Sequence, residues 1–120
     1  PIASVYSTPT WANGGRLAPC LANIRPCSRS AYNPWAPLRA ADFGNFMQAA
    51  ATRYNGRQTV QYQGAPTRLP KMSHWEIWNE PNLNGQFWTG SDEDYYQLYA
   101  ASVRGLKRVH PDLKVGAPAC

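Results

Sequence analysis

Acidic residues are scarce in this chain, long apolar runs are missing, and so is any glycine-rich phosphate loop. Seven acidic residues stand against twelve basic ones among 120, a net charge of +5. Such an excess can mark an anionic partner such as nucleic acid. Here the cations are scattered from Arg16 to Lys114, and Arg104, Lys107 and Arg108 fall where a helix C-terminus favours them, so no nucleic-acid partner is expected. No apolar run approaches the roughly 20 residues that span a bilayer, which argues against a membrane role. The absence of a glycine-rich turn after the first two strand-like segments counts against a nucleotide site. Histidine and cysteine are also sparse. His74 and His110 lie far in sequence from the Cys20–Cys27 loop, which by itself offers too few ligands of suitable spacing for zinc, and neither a metal nor another cofactor is expected.

What is present is globular. With 43% hydrophobic and 16% charged residues the chain is not disorder-like, and its length suits one domain, residues 1–120. Cys20 and Cys27 bracket the loop CLANIRPC. A disulfide there would imply an oxidising, extracellular compartment; two free thiols are the alternative. The chain starts at Pro1 without a methionine or a signal-like core and stops at Cys120 after a strand-like run, so both ends read as cut, as in an internal fragment.

Along the chain, IASVYS (Ile2 to Ser7) reads as a buried strand. A long loop over 8–41 follows, with Pro9, Pro19, Pro26, Pro34 and Pro37 excluding regular structure. Phe43, Phe46, Met47, Ala50 and Tyr54 recur at helical spacing, with Asp42 as the expected cap and Gly56 beyond the end. A connection through Lys71 leads into MSHWEIW, a strand whose content suits burial on both faces. Ser91 and Asp94 are spaced as a capping box, and the helix they open presents Tyr96, Tyr99, Ala100, Val103 and Leu106 before Pro111 ends it. LKVGAPA is a last strand. The order β-α-β-α-β predicts an α/β fold with a parallel sheet, either doubly wound or a TIM (β/α)8 barrel. The missing phosphate loop favours the barrel, of which this length supplies under half.

In either fold the C-terminal strand ends carry the chemistry, and HWEIWNEPN (His74 to Asn82) ends such a strand. Glycoside hydrolysis needs a carboxylic acid kept protonated beside the departing oxygen and a second carboxylate at the oxocarbenium-like centre. Glu80 suits the first role, with an aromatic nearby to desolvate it and Pro81 turning the chain away. Asn79 can donate an amide hydrogen to a sugar hydroxyl or cap the turn. Glu76 shares the parity of Glu80 about 13 Å deeper at 3.3 Å per residue, too far for a retaining pair, and reads as a buried support. Sugar faces stack on aromatic rings, so Trp11, Trp78 and Trp88 are candidate substrate contacts, with packing roles as the alternative. Trp35 and Trp75 read as structural and His74 as a core histidine.

WEIWNEPN, with STPTWAN (Ser7 to Asn13) upstream and KVGAPA (Lys114 to Ala119) downstream, resembles the clan A glycoside hydrolases. The flavour is closest to family thirty-nine, the β-xylosidase and α-iduronidase group; families five and ten are more distant. The resemblance implies a retaining (β/α) barrel enzyme, with this chain covering about strand 3 to strand 5. It makes Glu80 the acid/base and Asn79 the residue at the sugar 2-hydroxyl, and puts the nucleophile at the end of the seventh strand, outside this chain. A carbohydrate substrate and secretion are implied too. The rival readings are a non-catalytic carbohydrate-binding barrel and a basic polyanion-binding domain.

Overall fold

The computed structural model describes residues 1–16, 33–82 and 87–118. Strands are numbered β1 to β5 and α-helices α1 and α2 in chain order. Strands β1 (Ile2–Val5), β4 (His74–Ile77) and β5 (Lys114–Gly116) form a parallel sheet in the order β1-β4-β5. Val5 pairs with Ile77, and Trp75 with Val115. A β-strand sends alternate side chains to opposite faces. In β4 this buries Trp75 and Ile77 against α1 (Ala40–Arg53) and α2 (Asp92–Val109). The expected burial on both faces is not seen among the described residues. On the other face His74 is exposed, not a core histidine, and the half-buried Glu76 accepts a hydrogen bond from Ser4 Oγ at 2.7 Å.

The helices meet through small residues rather than large ones. A Cβ added at Gly44 would stand 2.6 Å from the Ala101 carbonyl oxygen, and one at Gly105 would overlap the Gly44 carbonyl oxygen. Only glycine permits so close an approach. This contact rotates α2 from the expected face: Leu98, Ala101, Ser102, Gly105 and Leu106 are buried, while Tyr96 is 64% exposed. Phe46, likewise expected in the core, is 56% exposed.

Helix ends follow the sequence in one case and not in the other. Ser91 and Asp94 close the expected capping box, with bonds of 2.9 and 3.0 Å. Asp42 does not cap α1; the cap position is Arg39, and Asp42 lies in the first turn, where its charge suits the helix dipole. At the far end of α2, Lys107 Nζ donates to the carbonyls of Pro111 and Leu113, tying the helix to the entry of β5.

The supposed connection before β4 is an antiparallel hairpin, β2 (Thr59–Tyr62) and β3 (Ala65–Arg68). Its turn residues Gln63 and Gly64 both have positive φ, 50° and 78°, as a two-residue hairpin turn of right-handed twist demands. The ribbon continues to a bridge between Asn55 and Lys71. The 8–41 loop also holds a short 3-10 helix, Thr10–Ala12. Cys20, Cys27 and Cys120 lie outside the described residues. No helix among the described residues is long and apolar enough to cross a membrane.

Candidate active site

The parallel ladder runs one residue past β4, where Trp78 N donates to Val5 O at 2.8 Å. The chain then leaves the sheet abruptly. Trp78 and Glu80 have φ of 74° and 41°, and Ser7, beyond the end of β1, has φ of 81°. These are three of the four non-glycine residues with positive φ among the described ones, and all three sit at C-terminal strand ends. Such conformations cost of order 1–3 kcal/mol each and persist only where the surroundings enforce them. Tyr95 of α2 is one enforcing group: its hydroxyl donates to the Ile77 carbonyl at 2.9 Å, just before the turn.

The turn also decides what Trp78 does. Strand parity would send it to the face of Glu76, but the left-handed residue swings it into the helix-side core, where it is 0% exposed. Its ring lies 5.8 Å from Phe43 and edge-on to Trp88 at 5.0 Å, and its indole N–H donates to the Phe87 carbonyl. Trp88, 2% exposed, packs edge-on to Tyr95 at 5.7 Å and donates its N–H to Ser91 O. Neither ring offers a face to a sugar. The expectation that Trp78 and Trp88 contact substrate is therefore corrected: both hold the turn that carries Glu80.

Trp11 is the opposite case, 77% exposed on the 3-10 helix beyond β1. Beside it lies a cavity of about 290 Å³ lined by Thr8, Asp42, Phe43 and Phe46 among others. Thr8 Oγ1 is buried without a hydrogen-bond partner among the described residues. The expected structural role of Trp35 fits its contacts: its ring lies 4.6 Å beneath the Arg16 guanidinium and its backbone bridges to Thr89. Bonds from Ala36 N to Thr89 O and from Thr89 N to Pro34 O join the loops that follow β1 and β4. Leu38 N to Ala12 O closes the loop after β1 on itself.

Asn79 and Glu80 emerge at this rim half-buried. Asp42 lines the cavity beside Trp11, and the remaining carboxylates have places elsewhere. Glu76 accepts from Ser4, Asp94 completes the capping box, Glu93 accepts from Gln97, and Asp112 faces His110 at 3.8 Å. Asp92, like Asp42, occupies a first helical turn. Among the described residues there is no cluster of metal-ligating side chains. Sequence reasoning did not single out Tyr95, Ser7 or Thr8. Tyr95 was legible only as one of three tyrosines near a helix start, with nothing local to mark its carbonyl partner.

The sequence model of the family described as "Glycosyl hydrolases family 39" matches residues 37–120. The chain belongs to this family. The family 39 chain is 47% identical over 45 residues to a β-xylosidase of Caldicellulosiruptor saccharolyticus, covering 38% of this chain and 9% of that protein. It is 31% identical over 90 residues to a β-xylosidase of Geobacillus stearothermophilus, covering 73% of this chain and 14% of that protein. Its fold matches the crystal structure of a glucosidase from Croceicoccus marinus with a TM-score of 0.57 and 28% identity, over 72% of this chain and 17% of that one. The family 39 chain thus spans a small part of the length of each of these proteins.

Proposed function

We propose that this chain is part of a retaining glycosidase, in which it forms about the third to fifth strands of a (β/α)8 barrel. The observation that carries the proposal is Glu80 at the C-terminal end of β4, in a turn that a buried aromatic cluster and Tyr95 hold in a left-handed conformation. Protonated Glu80 assists departure of the aglycone while a glutamate from outside this chain attacks the anomeric carbon. Ionised Glu80 then takes a proton from the water that releases the sugar. Asn79, next to Glu80 on the rim, donates to the sugar hydroxyl adjacent to the reacting carbon. Trp11 stacks against a sugar face, its exposure supporting that role. The relatives' names make β-xylosides the first substrates to assay and glucosides the second. The reading includes export, with the Cys20–Cys27 pair oxidised; thiol titration of the secreted protein tests that part.

The test of the site is Glu80→Gln in the full-length protein. Turnover of glycosides with poor leaving groups should fall on the order of 10²–10⁴-fold, the usual worth of a positioned general acid. Aryl glycosides with good leaving groups need no proton for the first step and should lose far less in it, while sugar binding persists. Unchanged turnover on poor leaving groups would sink the assignment.

A further inference from the structure

The end of the sheet opposite Glu80 carries an unpaired basic surface. Between Asp42 and Glu76 the sequence has no acidic residue but holds Arg53, Arg57, Arg68 and Lys71. All seven acidic residues of the chain are among the described ones. Among the described residues none of the four cations meets a carboxylate; the one ion pair is His110 with Asp112. Helix polarity accounts for Arg53, in the last turn of α1, as it does for Lys107 and Arg108. It does not account for Arg57, Arg68 and Lys71, which lie on the ribbon.

The ribbon is flanked by two grooves. One, of about 570 Å³, runs between it and α1 and is lined by Asn45, Gln48, Thr52, Arg53, Gln58 and Val60. The other, of about 470 Å³, includes Arg57 and Lys71. Cross-strand pairing puts Val60 and Thr67 on the half-buried side and Arg68 with Thr59 on the outer side. Tyr62, two residues beyond Val60, shares the groove side at the ribbon tip and is 61% exposed.

Amides, a hydroxyl and a guanidinium in the groove, with the exposed Tyr62 on the same side of the ribbon, suit hydroxyl-rich sugar units, and Arg57, Arg68 and Lys71 suit carboxylates spaced along a chain. We propose that this ribbon and its groove on α1 are a secondary binding surface for a polysaccharide bearing uronate groups. A nucleic acid, with a phosphate at every unit, would call for a denser cationic track than one lysine and three arginines. The surface is distinct from the Glu80 site and does not depend on the role of that residue.

The test compares full-length wild type with R57A/R68A/K71A by affinity electrophoresis in gels holding glucuronoxylan, or the same polymer with its carboxyls reduced. Wild type should be retarded at least tenfold more strongly by the carboxylated polymer, and raised salt should weaken that retardation. The triple variant should lose the difference while hydrolysing a small aryl glycoside at the wild-type rate. Tyr62→Ala should weaken retention by both polymers several-fold, which a purely ionic surface would not show. Equal retention of wild type and variant, equal retention by the two polymers, or tighter binding of duplex DNA through the same residues would overturn the proposal. If the triple variant misfolds, Arg68→Ala on the outer face must by itself weaken retention, and unchanged retention then overturns it.

Discussion

At the C-terminal ends of β1 and β4 the backbone is strained and the aromatic rings beneath it are packed to near-zero exposure; at the opposite end a hairpin stands on its own ladder with most of its residues exposed. The two ends solve different problems. The Glu80 turn is over-determined by Trp78, Trp88 and Tyr95, as the catalytic role proposed for Glu80 requires. A ribbon that touches the body through few buried side chains can change sequence and charge without disturbing that turn. Positive φ occurs at both ends, with contrasting causes. In the hairpin, Gln63 and Gly64 adopt it because a two-residue turn requires it, whereas Trp78 and Glu80 adopt it because the surrounding core imposes it.

The largest effect expected from breaking this contrast is Trp78→Ala. Removing the ring from a closed core should cost about 3–5 kcal/mol in chemical denaturation of the full-length protein. Trp11→Ala should cost under about 0.5 kcal/mol, as an exposed side chain does, while raising KM. Equal losses from the two would show that Trp78 is not the internal support described. Tyr95→Phe removes one hydrogen bond to the Ile77 carbonyl and should cost about 1 kcal/mol. Because that bond positions the turn, kcat should fall while KM holds; a drop in stability with kinetics untouched would make Tyr95 structural only. Gly64→Ala at the hairpin turn should cost about 1 kcal/mol for its left-handed backbone, with no side-chain clash to add to it. Its signature is local: faster amide exchange within Thr59–Arg68 and unchanged turnover. Faster exchange in β4 would mean that the two ends are coupled.

Much of this was legible in the sequence. The Ser91 and Asp94 capping box is a contact between residues three apart, and it forms as expected. Pro111 stops α2, and the parallel strand order follows from the alternation of strands and helices. The hairpin was missed although Gln63-Gly64 between Thr59–Tyr62 and Ala65–Arg68 carries a turn signal, because Pro66 and the many polar residues mask the alternation. The apolar face of α2 was misread because hydrophobicity predicts which residues prefer burial. It does not predict that Gly44, Ala101 and Gly105 would bring two backbones into contact and turn Tyr96 outward.

The sequence by itself determined the parallel α/β plan, the family, and the placement of Glu80 and Asn79 at a strand end, because these follow from local periodicity and one short motif. Only the tertiary structure decided that Trp78 and Trp88 are supports while Trp11 is open to a ligand. Strand parity holds only while φ stays negative, and the left-handed residue at Trp78 is enforced by partners distant in sequence, among them Val5, Phe43 and Tyr95.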